Sequence, residues 1–419
     1  MRLRLGTANY SYGFFEKAFV RAFKSVGLNV STVDMPEICK GALSYQTLFR
    51  ESPENIVHVA FRSTEHQRIA SGCRNICYFA WEFDVLRDRN LITEPVTGNQ
   101  VHMLSLFDEI WVSSNYTKGV LNSYGLKDVY VVPSPTCGEQ GQFPVRLSSE
   151  EALARLEALP CASLSCFSGL DRTRSAELVV KRQQSLKFAL RGVSERRKGS
   201  GNTGDIYLTI CNPHDRRKNL ANLIEGFHMA RCDSDDVLIV KLLVPNRGDF
   251  RANAQFDDAM IGLFGGAGAL DYPQVLVITD FLSDDQMTAL YSLADFYLCA
   301  SHCEGFNLPL IEAMSHGTIP ITTGNTAMSD YIDHENAIVI SEQRFPAPVP
   351  HMAADVAGQI YDIAFASRFD IARAADRASR LDATQRAEIS SRAAKTIRDK
   401  FSHASLNPII LHRLLPVVH

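Results

Sequence analysis

The sequence has no long apolar run and no strong excess of either charge. No stretch approaches the roughly 18 consecutive apolar residues of a transmembrane helix, and residues 1–13 lack the apolar core of a signal peptide. Lys and Arg number 43 against 47 Asp and Glu, a net charge of -4 that disfavours a dedicated nucleic-acid-binding protein. Hydrophobic residues make up 46% of the chain, which is typical of globular proteins. We therefore expect a cytoplasmic protein that binds no nucleic acid.

Metal-binding patterns are also scarce. The 10 cysteines never form a C-x-x-C pair, and none has a His at zinc-ligand spacing, so we interpret them as buried or free thiols. Asp233 and Asp235 form a D-x-D sequence, but the surrounding residues indicate a polar turn that leads into a strand. The sequence therefore predicts no metal site and no bound cofactor.

The length and the order of apolar segments predict two α/β domains. At roughly 150 residues per domain, 419 residues suggest two or three domains. In the first half, strand-like segments such as NIVHVAF, RNICYFAW and DEIWVSSN alternate with helix-like segments such as FFEKAFVRAF. From residue 204 the alternation restarts with DIYLTICNP and NLANLIEGFHMAR. Strands separated by helices predict parallel sheets covered by helices.

Three boundaries follow from this organisation. We predict a first domain over 1–203, with an irregular insertion at 138–203, a second domain over 204–400, and a terminal helix over 401–419. Residues 170–200 of the insertion are basic, which suits either a solvated helix or a surface for an anionic acceptor or membrane. Beyond about residue 350 the Ala- and Arg-rich sequence predicts helices.

The segment 301–332, SHCEGFNLPLIEAMSHGTIPITTGNTAMSDYI, carries the most chemistry. An apolar strand precedes a glycine-containing loop, and a helix then begins near Pro309 and ends at Gly317. Free N–H groups at such a helix start can hold a diphosphate at the carboxyl edge of a sheet. Glu304 and Glu312 flank these donors, and because carboxylates repel phosphate, we expect both to bind hydroxyls.

The E-x7-E spacing of Glu304 and Glu312, within S-x-x-EGF-x-LP-x-IEAM-x-HG-x-P, resembles the donor site of retaining glycosyltransferases of family GT4. This resemblance implies a GT-B fold, an α/β architecture in which two Rossmann-like domains face each other across a cleft. It also implies a nucleotide-sugar donor, retention of anomeric configuration and no obligatory metal. On this basis Glu304 holds the donor sugar and Glu312 the ribose. The neighbouring donor-site residues are Gly305, Phe306, Asn307 and Leu308.

Two further segments are similar to parts of that family. In NPHDRRKNLANLIEGF, Arg217 and Lys218 stand where relatives direct cations at the nucleotide diphosphate; alone, they would indicate only a solvated surface. In VLVITDFLSDDQ, Phe281, Leu282 and Ser283 stand where relatives contact the nucleobase. Helix capping explains Ser283 equally well.

The first half resembles the family more loosely. Gly13 is expected in a turn between a strand and a helix, where relatives bring a loop close to the donor diphosphate, although chain flexibility alone would explain it. NICYFAWEF resembles the WE-type subgroup, whose members often build surface polysaccharides. Many relatives carry a histidine after the strand that corresponds to NICYFA, and this chain has Trp81 and Glu82 there instead. Glu82 could orient or deprotonate the acceptor hydroxyl, with Trp81 stacking on a sugar; a merely structural Trp-Glu pair is the alternative. His58 is expected to be a hydrogen-bonded histidine at a strand end.

The resemblance therefore predicts transfer of a sugar from a UDP- or GDP-sugar to a glycan or lipid-linked acceptor. The pathway would be surface polysaccharide, capsule or lipopolysaccharide synthesis, with peripheral contact at the cytoplasmic face of the membrane. Two other functions remain open: a GT-B glycan phosphorylase or inverting transferase, and a non-catalytic subunit that binds glycan or nucleotide.

Overall fold

A computed structural model describes most of the 419 residues. The described residues are 8–32, 56–70, 72–88, 98–136, 143–167, 184–190, 204–213, 215–232, 234–243, 272, 274–348 and 360–415. Within them, no helix combines the length and the apolar character needed to cross a membrane.

The first half forms a four-stranded parallel sheet, as predicted. Its strands follow one another in the order β1, β2, β3, β4, and each neighbouring pair is parallel. The strands are β1 (Val57–Ala60), β2 (Arg74–Phe79), β3 (Glu109–Val112) and β4 (Val129–Val131). The helices of this half are α1 (Ala8–Ser25), α2 (Gln100–Ser105) and α3 (Asn115–Ser123). Every residue of β3 is buried, as expected for a sheet covered on both faces.

The second half forms an eight-stranded sheet in the order β12-β11-β10-β7-β8-β9-β5-β6. Six consecutive strands of this sheet are parallel to one another. They are β7 (Ile206–Cys211), β8 (Val237–Leu242), β9 (Val275–Ile278), β10 (Phe296–Cys299), β11 (Ile319–Thr322) and β12 (Ile338–Val339). The intervening helices are α6 (Leu220–Arg231), α7 (Asp284–Leu293) and α8 (Leu308–Ser315). These elements confirm the predicted second α/β unit.

Part of the predicted insertion adds to this second sheet. Strand β5 (Pro160–Ser163) pairs antiparallel with β9, and the short β6 (Gln184–Ser185) pairs with β5. The helices α4 (Ser149–Arg155) and α5 (Leu186–Ala189) accompany them. The boundary between the sheets therefore precedes residue 160, whereas the sequence predicted a domain boundary at 203. Apart from 184–190, the basic segment 170–200 lies outside the described residues, as does Asp233.

Two local predictions were wrong. Ile360–Phe365 forms a strand, β14, which pairs antiparallel with β13 (Gln343–Pro348), where the sequence predicted a helix. Exposed Ile360 and Asp362 alternate with buried Tyr361 and Ile363, which is the period of a strand. Gly13 lies inside α1 instead of in a turn, because the helix begins at Ala8 and its buried face runs continuously from Tyr12 through Phe15 to Phe19.

The two halves share a hydrophobic core. One cluster of buried side chains includes Tyr78 and Trp111 of the first sheet together with Leu310 of α8. The last helices are α9 (Arg368–Ser379), α10 (Ala383–Phe401) and α11 (His403–Leu414). Helix α11 contacts α1, and Ile410 joins the shared core. The sheets are therefore fixed against each other by apolar packing as well as by the polar contacts described below.

Candidate active site

Two loops meet at the carboxyl edge of the second sheet. One follows β7 and contains a short 3-10 helix, Arg216–Lys218; the other follows β10 and leads to α8. Because β7 and β10 are neighbouring parallel strands, their carboxyl ends bring both loops together. The backbone N–H of His302 donates to the carbonyl of Arg217 at 2.8 Å, which joins the loops directly. The candidate cations and acids therefore lie side by side, although about ninety residues of sequence separate them.

Lys218 and Glu304 form an ion pair across these loops. The Lys218 Nζ donates to Glu304 Oε1 at 2.6 Å, and the Glu304 side chain is only 5% exposed. Burial by itself lowers the pKa of Lys218, but the carboxylates of Glu304 and Asp215 outweigh it and raise the pKa above the ordinary value. Lys218 is therefore a permanent cation at neutral pH. Thr326 fixes the Glu304 backbone, since the Glu304 N–H donates to its Oγ1 at 2.8 Å.

Arg217 lies between two carboxylates. Asp215 accepts from Arg217 Nε at 2.9 Å and from Nη2 at 2.6 Å, a bidentate pair that fixes the guanidinium plane. The remaining nitrogen, Nη1, donates to Oε1 of Glu82, and the guanidinium lies 5.9 Å from the centre of the Phe83 ring. Burial lowers the pKa of Arg217, but Asp215 and Glu82 more than reverse this and raise it well above the ordinary value. Burial raises the pKa of Glu82, and the charge of Arg217 opposes that increase.

Glu82 reaches Arg217 because the first sheet packs closely on the loop after β10. A Cβ at Gly305 would lie 3.3 Å from Glu82 Oε2 and 3.4 Å from the backbone nitrogen of Trp81. The Oγ of Ser113, which follows β3, donates to the carbonyl of Gly305. A side chain at position 305 would therefore need Glu82 or the Trp81 backbone to shift slightly.

The start of α8 explains the residues that the sequence placed at the donor site. Asn307 adopts the left-handed region at φ 66° and ψ 60°, and Pro309 occupies the first turn of the helix. Asn and Gly enter this region more easily than other residues, which explains the Asn at this position. Phe306 is buried and contacts Phe15 of α1, with their ring centres 5.9 Å apart. Lys218, Glu304 and Asn307 line one small cavity.

Glu312 lies on α8 and has one partner. The hydroxyl of Tyr291 donates to Glu312 Oε2 at 2.7 Å. Burial raises the pKa of Glu312, although this hydrogen bond partly opposes the increase. Glu312, in the second turn of α8, therefore has one carboxylate oxygen already engaged.

The three residues predicted at the nucleobase differ in their surroundings. Phe281 is 78% exposed, whereas Leu282 is buried in the shared core. Ser283 caps α7: its Oγ accepts from the N–H of Gln286 at 3.3 Å, and Gln286 Oε1 accepts from the N–H of Ser283 at 3.0 Å. The capping interpretation of Ser283 thus agrees with the structure, and Phe281 alone offers its side chain to a ligand.

Three other residues of the first half that the sequence singled out are placed as follows. Gly13 lies within α1, so its N–H belongs to a helix and not to a phosphate-binding turn. Trp81 packs against Phe79, with ring centres 5.6 Å apart, and its Nε1 donates to the carbonyl of Val85 at 2.9 Å. His58 is hydrogen-bonded to Asn75 at 2.9 Å, as expected.

Sequence reasoning missed Asp215 and Thr326. Asp215 immediately precedes the basic residues 216–218. A carboxylate two positions before Arg217 was a candidate ion-pair partner for that arginine. Thr326 gave no such signal, because it meets Glu304 only through the neighbouring strand β11. Among the described residues, no cluster of three His, Cys, Asp or Glu side chains is arranged to hold a metal ion.

Residues 267–346 match the family model described as glycosyl transferases group 1. Over 63 residues the chain is 38% identical to the serotype-specific mannosyltransferase WbdA of Escherichia coli, which covers 15% of this chain and 8% of that protein. Over 100 residues it is 36% identical to the GDP-mannose:cellobiosyl-diphosphopolyprenol alpha-mannosyltransferase of Komagataeibacter xylinus, which covers 24% of this chain and 25% of that enzyme. The matches thus span a quarter or less of these relatives.

Solved structures resemble a much larger part of the chain. A trehalose-6-phosphate protein of E. coli bound to UDP-2-fluoro glucose aligns with a TM-score of 0.55 at 11% identity, over 98% of this chain and 80% of that one. The sucrose-phosphate synthase of Thermosynechococcus elongatus aligns with a TM-score of 0.50 at 13% identity, over 81% and 67%. The chain therefore has the GT-B fold that the sequence predicted, and it carries sequence of the glycosyltransferase group 1 type.

Proposed function

We propose that the chain is a metal-independent, retaining glycosyltransferase of the GT4 type. It transfers a sugar from a nucleotide diphosphate to a glycan or lipid-linked acceptor in surface polysaccharide synthesis. One observation carries the proposal: Arg217, Lys218 and the start of α8 lie together beside Glu304 at the carboxyl edge of the second sheet. In open α/β sheets this edge is where ligands bind.

The two cations and the start of α8 stabilise the leaving diphosphate. As the glycosidic C–O bond breaks, negative charge grows on the departing diphosphate. The Lys218 ammonium stabilises this charge as a compact cation, and the planar Arg217 guanidinium donates hydrogen bonds to the phosphate oxygens. The backbone N–H groups of Asn307 and Leu308 are further donors. Both cations hold carboxylates in the structure, Arg217 that of Glu82 and Lys218 that of Glu304, so phosphate oxygens bind in competition with a carboxylate or beside one.

The glutamates bind the sugar and the ribose of the donor and the hydroxyl of the acceptor. Glu304 binds hydroxyls of the transferred sugar, and Glu312 binds the ribose through the oxygen that Tyr291 leaves free. Phe281 provides a ring for the nucleobase. A phosphate oxygen of the donor takes the acceptor proton, and Glu82 orients the acceptor hydroxyl.

GDP-mannose is the first donor to test, with a diphosphopolyprenol-linked oligosaccharide as acceptor. The support is the activity of the Komagataeibacter enzyme, whose matched region covers no more than a quarter of either chain. A lipid-linked acceptor would place the protein at the cytoplasmic face of the membrane. The test is radiolabelled transfer from GDP-mannose and from UDP-sugars, with and without EDTA, followed by NMR of the product anomer.

The outcomes separate the alternatives. An inverted product excludes a retaining mechanism, and release of sugar phosphate on addition of inorganic phosphate identifies a phosphorylase. Nucleotide binding without turnover on any donor identifies a non-catalytic subunit. Loss of activity in EDTA contradicts metal independence.

Two glutamate variants test the assigned roles. We expect Glu304→Gln to lower kcat by at least about 100-fold with GDP affinity nearly unchanged, because the only part of the donor that Glu304 contacts is the sugar, which GDP lacks. We expect Glu312→Ala to weaken GDP binding by about tenfold, which is the size of one lost hydrogen bond to a charged group. Glu225→Gln, in an exposed pair with Arg368 at 2.8 Å, is the matched control. If both site variants behave like the control, the assignment of the two glutamates is wrong.

A further inference from the structure

The contact between Glu82 and Arg217 has a chemical consequence for donor binding. The guanidinium offers two edges: Asp215 takes one by bidentate pairing, and Glu82 takes Nη1 on the other. A carboxylate and a phosphate use the same donors of an arginine in the same plane. The nitrogen left for a diphosphate is therefore the one that Glu82 holds.

We propose that Glu82 is an internal substitute for the donor diphosphate, which holds Nη1 of Arg217 in the empty protein and gives it up when a nucleotide diphosphate binds. This inference rests on the proposed function, since it takes Arg217 as a ligand of the donor. It adds that the affinity of the site for nucleotide is set by competition with a carboxylate of the chain itself.

The two acids that pair with the cations differ in their freedom to leave. Glu304 belongs to the same half as Lys218, and its backbone is tied to Thr326 in both directions, by donation at 2.8 Å and acceptance at 3.0 Å. Glu82 comes from the opposite half, after β2, and meets Arg217 across the junction of the two sheets. A small separation of the halves therefore frees Glu82, whereas Glu304 stays beside Lys218.

Loss of Glu82 does not leave Arg217 without a partner. Asp215 retains its two hydrogen bonds, and the Phe83 ring lies 5.9 Å from the guanidinium. Replacement of Glu82 by Gln therefore removes one negative charge and preserves the position of the cation. This makes the competition measurable with a nearly isosteric variant.

Displacement also changes the protonation of Glu82. Its charged and titratable neighbours come from four elements. They are Arg217, Asp215 and Lys218 after β7, Glu304 and Cys303 after β10, Tyr12 of α1, and Tyr361 of β14. Burial already raises the pKa of Glu82, and Arg217 is the main group that opposes it. When phosphate takes Arg217, that opposition weakens and the diphosphate adds negative charge, so the pKa of Glu82 rises further and the carboxyl group takes up protons from solvent on binding.

The experiment is isothermal titration calorimetry of the full chain with GDP and with UDP. Wild type, Glu82→Gln and the control Glu225→Gln are compared at pH 8, where the free nucleotide is fully ionised. Each titration is repeated in two buffers of different ionisation enthalpy, and the difference gives the number of protons taken up on binding.

We expect Glu82→Gln to bind the preferred nucleotide about tenfold more tightly than wild type, with transfer activity reduced. Wild type and Glu225→Gln should take up more protons on binding than Glu82→Gln, and their affinity should rise relative to that of Glu82→Gln as the pH is lowered from 8 to 7. The number of protons that wild type takes up on binding is measured without any variant. It therefore still tests the inference if Glu82→Gln fails to fold.

Two results would overturn the inference alone: equal affinity and equal proton uptake in wild type and Glu82→Gln, or weaker binding by Glu82→Gln. In both cases nucleotide still binds, and the proposed function stands. If neither GDP nor UDP binds to wild type or to Glu82→Gln, the failure lies instead in the proposed donor site.

Discussion

Two asparagines begin helices at the candidate site in the left-handed region, Asn219 before α6 and Asn307 before α8. A side chain with Cβ is disfavoured there by about 1–2 kcal/mol, and glycine is not. We expect Asn307→Ala to be about 1 kcal/mol less stable than Asn307→Gly, measured by urea unfolding. Both variants lose the same amide contacts, so the comparison isolates the backbone. Equal stabilities would show that the backbone at 307 relaxes out of this region.

Glu312 gives a prediction on pH. Burial raises its pKa in the folded protein, so above about pH 4.5 the folded state binds more protons than the unfolded state. Stability from this group is therefore complete below that pH and is lost as the pH rises through the folded pKa. Glu312→Gln keeps an acceptor for Tyr291 and cannot ionise. We expect its free energy of unfolding to exceed that of wild type at pH 8, with a difference that shrinks towards pH 4. A difference independent of pH would contradict this.

At the same scale, the sequence predicted which residues would lie together at the edge of the second sheet better than it predicted their individual contacts. Glu304, Arg217 and Lys218 stand out because each directly follows an apolar strand within a recognisable local pattern. The pairing of Glu82 with Arg217 could not be predicted, since 135 positions separate them and their meeting depends on how the two sheets pack. Asn307 could be noticed as unusual, but its left-handed conformation follows only from the geometry of the helix start.

Helix α6 follows the loop that contains Arg217 and Lys218, and it packs closely on α9. A Cβ at Gly226 would lie 2.7 Å from the carbonyl oxygen of Arg368 and 2.7 Å from Cβ of Ile371. We expect Gly226→Ala to lower the free energy of unfolding by about 1–3 kcal/mol through overpacking, despite the better helix propensity of Ala. Chemical unfolding measures this effect.

The matched control is Gly119→Ala in α3, where no atom lies within 4 Å of the new Cβ. There we expect stabilisation by about 0.5–1 kcal/mol. If both variants shift stability in the same direction, the close approach of α6 and α9 does not determine the effect.

Most elements could be predicted because their apolar periods are regular. The strands of both sheets are short apolar runs bounded by polar residues, and the helices between them repeat every three to four residues. The error at β14 has a clear source. The Ala-rich neighbourhood favours a helix, but the alternation within Ile360–Phe365 and its pairing with β13 decide the outcome. Pairing partners are not visible in a local window of sequence.

The shared core makes a prediction about the whole molecule. Both tryptophans of the chain, Trp81 and Trp111, belong to the first half, so their fluorescence reports that half alone. Far-UV circular dichroism reports the helices of both halves. Because Trp111 and Leu310 lie in one buried cluster, we expect the two signals to have the same urea midpoint. A fluorescence midpoint clearly below that of circular dichroism would show that the halves unfold independently.

The ion pairs around Arg217 also determine how a nucleotide arrives. Arg217 and Lys218 bring two positive charges, and Asp215, Glu82 and Glu304 bring three negative ones. A diffusing polyanion therefore meets no attractive field from this cluster until partners exchange at contact range. Capture should be slow and nearly insensitive to ionic strength, and the gain in binding energy comes only after the encounter, when the displaced carboxylate of Glu82 makes room for phosphate.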